Sequence, residues 1–145
     1  MLRIPKSGPK PLHAVATQYS LTKILLMNSN EILNQLNLFT GSEHLYQYNS
    51  ILITDGIKYL CETCNSYWLL DVLISHQIFP KVNREHFQVW TLTKKPIFNF
   101  PNACEITCDD GNDNILATQV IPFTDFPFSY SFYFIDGIVL LKSEY

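Results

Sequence analysis

Four cysteines, arranged as two close pairs, are the residues of this chain whose type and spacing could do chemistry. Cys61 and Cys64 form a Cys-x-x-Cys pair, and Cys104 and Cys108 form a Cys-x-x-x-Cys pair after 39 intervening residues. A structural zinc ion needs four convergent thiolate or imidazole ligands, usually in pairs about 15–20 residues apart. A redox-active pair lies at a helix N-terminus, where the helix dipole lowers the pKa of the thiol. Zinc binding and redox chemistry are the functional alternatives to simple burial of the thiols.

The segment that contains the first pair has the spacing of an amphipathic helix. Its apolar residues recur at i, i+3, i+4, i+7, i+11 and i+15, namely Ile57, Leu60, Cys61, Cys64, Trp68 and Val72. We expect Asp55 to cap this helix, Asn65-Ser66 to divide it in two, and Pro80 to prevent its continuation. Cys61 then lies more than one turn from the helix N-terminus and faces inward.

The second cysteine pair follows the alternation of a β-strand. Cys104, Ile106 and Cys108 share one face of that strand, and the face is apolar. Because a free cysteine behaves as a small buried hydrophobe, we predict that all four thiols pack in the core. We assign no metal site and no cofactor.

Asp71 is the polar residue that interrupts the apolar run YWLLDVLI, residues 67–74. On a helix it lies about 60° from Trp68, at the edge of the buried face. A carboxylate there must be hydrogen-bonded or paired, or its pKa rises. Backbone N–H groups or Arg84 could supply that partner, which is the favoured interpretation, and an acid/base or ligand-binding role is the alternative. Asp71 therefore heads the candidate binding residues, and the rings of Trp68, Tyr67 and Trp90 are further candidates that could supply a binding groove.

The remaining polar residues carry no catalytic signature. The acidic turn DDGNDN, residues 109–114, lacks the terminal glutamate of a calcium-binding EF-hand loop. The four histidines form no zinc-protease motif, and the chain has no nucleophile elbow, Walker A loop or dinucleotide-binding glycine motif. We name no catalytic residue, and the sequence leans away from an enzyme.

Charge is distributed unevenly along the chain. Residues 1–30 hold four cations and no acid, and the other 115 residues hold six cations and thirteen acids, a net charge of −7. An acidic body repels phosphate, which disfavours a nucleic-acid partner. The aromatic ladder Tyr130, Phe132 and Phe134 could stack unpaired bases, but no basic residues interleave with it, so core packing is favoured.

The composition predicts a globular protein with a core. Hydrophobic residues make up 47% of the chain and charged residues 16%. No apolar stretch approaches the roughly 20 residues of a membrane span, and no secretory signal is evident. We expect a soluble, cytoplasmic protein with reduced thiols and no membrane association. Residues 1–26 are predicted to be a flexible, basic N-terminal extension, and residues 27–145 a single domain.

The order of the elements predicts the fold class. Helical patterns come first, interrupted by a short hairpin at residues 44–54, and the period changes to two from residue 86. Asp136-Gly137 is the strongest two-residue hairpin turn in the chain. These patterns predict an α+β fold, in which two or three helices pack on a mainly antiparallel sheet built from hairpins.

Several segments together resemble a family of small uncharacterised proteins from bacteria and their mobile elements, classed as a domain of unknown function. The segments, in chain order, are FTGSEHLYQY (39–48), ITDGIKYLCETCNSYWLLDVLISHQ (53–77), FQVWTL (87–92), DDGN (109–112), IPFTDFP (121–127) and DGIVLLKSEY (136–145). In such proteins the positions of Cys61 and Cys64 are small apolar residues, which implies that neither is a ligand. The resemblance also implies that the domain begins near Met27. It implies no activity, cofactor or catalytic residue.

Three functional hypotheses follow. The leading one is a non-enzymatic interaction or accessory protein with a protein partner, linked to mobile elements or host defence. The second is an enzyme whose site lies around Asp71, between the helices and the sheet. The third is single-stranded nucleic-acid binding through the basic N-terminal arm.

Overall fold

The computed structural model describes residues 28–145, and the predicted N-terminal extension lies outside the described residues. The helices are α1 (Ser29–Leu36), α2 (Asp55–Thr63), α3 (Tyr67–His76) and α4 (Pro80–Asn83). The strands are β1 (Leu45–Tyr48), β2 (Ile51–Thr54), β3 (Phe87–Lys94), β4 (Cys104–Asp109), β5 (Ile115–Ile121), β6 (Tyr130–Ile135) and β7 (Ile138–Leu141). A 3₁₀ turn, Lys142–Glu144, follows β7. No helix within the described range is long and apolar enough to cross a membrane.

The seven strands form one open sheet in the order β1-β2-β7-β6-β3-β4-β5. Every neighbouring pair is antiparallel except β2 and β7, which run parallel. The α+β class and the mainly antiparallel sheet are therefore confirmed. The helix number is four instead of two or three, because Pro80 starts a further short helix. Hairpins account for only part of the sheet, since β2–β7 and β3–β6 join strands that are distant in the sequence.

The helices cover one face of the sheet and form the core with it. The first part of the predicted helical stripe is confirmed, since Ile57, Leu60, Cys61 and Cys64 are buried. All four thiols are free and buried, as the packing interpretation predicted. Their burial raises the pKa of Cys61 and of Cys108 to about 12, which keeps both thiols protonated.

The predicted stripe is wrong beyond the break between α2 and α3. Asn65 has a φ of 50°, so the chain changes direction there and the helical phase is not carried over. The residues that α3 buries are Leu69, Leu70 and Leu73. Trp68 and Val72, which were predicted to face inward, are only half-buried at the edge of the core.

The N-terminus of α2 is held by residues other than the predicted cap. Thr54, not Asp55, caps the helix, because its Oγ1 accepts the Ile57 N–H at 3.3 Å. Thr54 Oγ1 also donates to Glu144 Oε1 at 2.7 Å, and the Gly56 N–H donates to Glu144 Oε2 at 3.3 Å. A carboxylate is favourable there because the helix dipole is positive at that end. These two hydrogen bonds hold Glu144 against the N-terminus of α2.

Candidate functional site

Two tyrosines and an aspartate converge on the helical side of the sheet, close to its β1 edge. Tyr48 is the last residue of β1, and Tyr67 and Asp71 lie one helical turn apart on α3. The rings of Tyr48 and Tyr67 are stacked, with centroids 5.2 Å apart and planes inclined by 20°. The Tyr48 hydroxyl donates a hydrogen bond of 2.8 Å to Asp71 Oδ1. We call Tyr48, Tyr67 and Asp71 the Tyr-Asp surface.

The Tyr-Asp surface faces solvent. Asp71 is exposed, and both tyrosines are half-buried. Among residues 28–145 the ion pairs are His86–Asp136 and Lys95–Glu105, so no described cation neutralises Asp71. Arg84, the partner considered from the sequence, is not its partner. The carboxylate is positioned by Tyr48 through one oxygen, and its second oxygen makes no hydrogen bond with the described residues.

Tyr48 is the donor in this contact, and its raised pKa is consistent with that role. Burial, together with the hydrogen bond to Asp71, raises the pKa of Tyr48 to about 12. Burial also raises the pKa of Tyr67. Tyr48 therefore keeps its proton at neutral pH and remains a donor to the carboxylate, so it is not available as a general base.

A neighbouring tyrosine already holds a cation. Tyr46, two residues before Tyr48 on the same face of β1, has the Lys58 ammonium 4.3 Å from its ring centroid. This is a cation–π contact, in which the electron-rich face of the ring attracts the positive charge. The β1 edge therefore accepts a cation on an aromatic ring within the chain itself.

The structure brings together some of the predicted binding residues and separates others. Tyr67 and Asp71 meet in the Tyr-Asp surface, and Trp68 follows Tyr67 directly on α3, half-buried against the core. Trp90 is different, because only 1% of it is exposed and its Nε1–H donates to Gln88 Oε1 at 2.9 Å. This burial is incompatible with the groove-lining role expected for Trp90.

The site residue that sequence reasoning missed is Tyr48. It appeared only as part of a predicted strand, and its contact with Asp71 spans 23 residues. The alternation of β1 places Tyr46 and Tyr48 on one face, which was the available signal. Which helix packs over that face is set by tertiary structure.

Four cavities formed by the described residues lie away from Asp71. They are lined by α1 with α2, by the β3–β6 region, by the β6–β7 turn with residues 144–145, and by the α2–α3 junction. Asp71 lines none of them. Its position on an open surface suits contact with another macromolecule better than enclosure of a small substrate.

The thiols do not assemble into a site. Within residues 28–145, no three His, Cys, Asp or Glu side chains are grouped so that they could hold a metal ion. Cys61 lies on the inner side of α2, and Cys64 caps the C-terminal end of that helix and also faces the core. Cys104 and Cys108 lie on the inner face of β4. Each cysteine thus acts in this structure as part of the core.

Comparison with known proteins gives a family and no described relative. No curated protein and no solved structure matches the chain. The model of one family, a family of unknown function named DUF6876, matches residues 30–145. That range includes all seven strands, helices α2 to α4, all but the first residue of α1, and the three residues of the Tyr-Asp surface. The predicted membership of a family of unknown function is confirmed, and the chain belongs to the DUF6876 family of unknown function.

Proposed function

We propose that this chain is a non-enzymatic protein-binding module whose Tyr-Asp surface binds a basic side chain, preferably arginine, of a protein partner. The observation that carries the proposal is the stacked Tyr48–Tyr67 pair beside an exposed carboxylate that Tyr48 orients.

Arginine fits the chemistry of the surface for two reasons. Its planar guanidinium stacks on aromatic rings, and its N–H groups match the geometry of a carboxylate. The free oxygen of Asp71 and the exposed side of the tyrosine stack offer both contacts together. Lysine offers a point charge without the planar fork, so it is the weaker ligand of this class.

The charge of the described residues supports a basic partner. Residues 31–145 hold six cations and thirteen acids. Such a surface attracts positively charged segments over a distance and repels nucleic-acid phosphates. The nucleic-acid hypothesis rests on the N-terminal arm, outside the described residues, and remains a prediction. The links to mobile elements or host defence and to the cytoplasm also remain predictions.

The enzyme hypothesis has less support. An acid/base role for Asp71 requires a reacting group held beside it, and Asp71 is exposed and lines none of the four cavities described above. Its hydrogen-bond partner among residues 28–145, Tyr48, has a pKa of about 12 and remains protonated at neutral pH. Turnover of a substrate by the purified protein, abolished by Asp71→Asn, would establish the enzyme and contradict the proposed function.

The test is a titration with a nine-residue glycine-serine peptide that carries three arginines, followed by NMR of the protein. We expect the largest shift changes at Tyr48, Tyr67 and Asp71. The same peptide with lysines should bind more weakly, and one with glutamates should not bind. Asp71→Asn should weaken arginine-peptide binding about fivefold, the loss expected for an exposed charged contact.

The matched control is Asp136→Asn. Asp136 is also an exposed aspartate, and it lies in the β6–β7 turn with a φ of 49°, which asparagine tolerates well. Both variants lose the same charge, so attraction by net charge falls equally in both. Equal weakening by the two variants, or shift changes that avoid Tyr48 and Tyr67, would contradict the proposal.

A further inference from the structure

The face of the sheet opposite the helices carries apolar side chains that do not join the core. Four of its residues are well exposed hydrophobics on the outer strands, Leu45, Leu52, Ile115 and Val120. The central strands add half-buried side chains, and the pairing register places these on the same face: Phe87, Tyr133, Ile135, Ile138 and Leu140. We call this the outer face. Of the described residues, no α-helix packs on it, and the 3₁₀ turn Lys142–Glu144 lies at its margin.

The centre of the outer face holds a groove with opposite charges at its two ends. It has a volume of about 380 Å³, and its lining includes Lys142, Tyr133, Phe87, Asp109 and Asp113. The Lys142 ammonium lies 5.6 Å from the centroid of the Tyr133 ring, on the β7 side. Asp109 ends β4, and Asp113 lies in the turn that follows, on the other side.

Two aromatic rings separate these charges. Phe87 and Tyr133 have centroids 4.9 Å apart, and the ring of Tyr145 contacts both. A second, more apolar cavity of about 300 Å³ adjoins them, with Ile138 and Leu140 among its lining residues. From β7 to β4, the groove therefore presents first the Lys142 ammonium, then the rings of Tyr133 and Phe87, and then the carboxylates.

We propose that two copies of this chain pack face to face through their outer faces as a two-fold symmetric dimer. A two-fold interface brings the same patch of both copies together, so the patch must complement itself. A two-fold axis that runs parallel to the strands, between Phe87 and Tyr133, places the Lys142 end of each groove opposite the Asp113 end of the other. The aromatic pairs then meet at the centre, where desolvated rings contribute most to binding.

The size of the outer face agrees with this partner. Strands lie about 4.8 Å apart and rise about 3.3 Å per residue, so a seven-stranded face covers about 500 Å² in projection. Its accessible area is larger because the surface is pleated and carries side chains, which brings it towards the ~800 Å² that each partner buries in a standard interface. Two sheets that meet in this way form a sandwich about 10 Å thick.

The dimer is independent of the proposed function and would add to it. The Tyr-Asp surface lies on the helical side of the sheet, so face-to-face pairing leaves both copies of it exposed. A dimer then presents two sites for one partner, which raises the effective affinity for a partner with two basic segments.

The first test is sedimentation velocity of the full chain with leucine variants. We expect the wild type to be a dimer at about 50 µM, a concentration at which a dissociation constant of about 1 µM, or a binding free energy of about −8 kcal/mol, leaves few monomers. Leu140→Asp, which places a charge on the outer face, should give monomers. The matched control is Leu38→Asp, since Leu38 is 70% exposed and lies outside every strand. It should leave the dimer intact.

The second test does not depend on an apolar substitution. Lys142→Glu and Asp113→Lys each create like-charge pairs across the proposed axis, so each alone should shift the protein to monomers. Mixing the two variants should restore dimers, because every pair in the mixed dimer again has opposite charges. Misfolding of either variant cannot produce this rescue.

Three results would overturn the dimer. These are a monomeric wild type at that concentration, a dimer that survives Leu140→Asp, and a mixture of charge variants that stays monomeric. A monomeric wild type would leave the outer face available to a different protein.

Discussion

Gln88 is the residue whose replacement should disturb the helix–sheet contact most. It lies on the inner face of β3 with 2% of its surface exposed. Its Oε1 accepts the Trp90 indole N–H at 2.9 Å, and its Nε2 donates to the carbonyls of Val82 and Glu85 at 3.0 and 3.1 Å. It also exchanges hydrogen bonds with the Gln77 side chain. One amide thus joins β3 to the ends of α3 and α4.

We expect Gln88→Leu to lower the free energy of unfolding by about 3 kcal/mol. The indole N–H of Trp90 becomes a buried donor without a partner, at a cost of about 1–3 kcal/mol. The two hydrogen bonds to carbonyls contribute about 0.5–1.5 kcal/mol each. Burial of the more apolar leucine side chain stabilises the folded state by about 1 kcal/mol, which offsets part of this loss.

Urea denaturation at neutral pH measures this loss, with an unchanged slope as the sign that the folded state stays compact. Gln47→Leu is the matched control, because Gln47 is exposed on β1 and should change stability by less than about 0.5 kcal/mol. In a Trp90→Phe background, which lacks the orphaned donor, Gln88→Leu should cost about 1–3 kcal/mol less. A loss equal to that of Gln47→Leu, or no coupling to Trp90, would refute this reasoning.

Three further predictions concern packing and titration. Gly56→Ala should lower the free energy of unfolding by about 1–3 kcal/mol, because the added Cβ would overlap the buried Leu141 side chain and lie only 2.6 Å from Glu144 Oε1. Gly41→Ala, whose added Cβ would meet no atom within 4 Å, is the control, and equal effects of the two substitutions would contradict these contacts. Burial raises the pKa of Cys61 and of Cys108 to about 12. At pH 8 both thiols should therefore react only slowly with a thiol reagent until urea unfolds the chain. Fast labelling of the native protein would be inconsistent with their burial. Folding favours the neutral form of Tyr48, so the contribution of this proton to stability should be intact below about pH 10 and lost as the pH rises through about 12. In thermal melts, the melting temperature of Tyr48→Phe should therefore fall less over that pH interval than that of the wild type. An identical fall in both proteins would argue against the raised pKa.

Local patterns predicted the parts of this fold that depend on neighbours in the chain. The alternation of Cys104, Ile106 and Cys108 identified a buried strand face, and helical spacing identified the inward side of α2, because both periods are properties of a single element. The positive φ at Asn65 removed the helical phase between α2 and α3, so the burial of Trp68 was predicted wrongly. No local signal records such a change of direction.

The candidate site was predicted only in part for the same reason. Asp71 and Tyr67 stand one turn apart on a single helix, which the sequence makes visible. Tyr48 reaches them from a strand 23 residues away from Asp71, and this contact exists only because α3 packs over the β1 edge. The parallel pairing of β2 with β7 joins the β1–β2 hairpin to the rest of the sheet, and it is also a contact between segments that are distant in the sequence.

The most direct test of the Tyr-Asp surface is the measurement of intermolecular nuclear Overhauser effects between the arginine peptide and the protein. Our proposal predicts contacts from the arginine side-chain methylene protons to the ring protons of Tyr48 and Tyr67, and their loss in Asp71→Asn. Binding of the peptide with contacts only to other residues, or contacts that persist unchanged in Asp71→Asn, would contradict it.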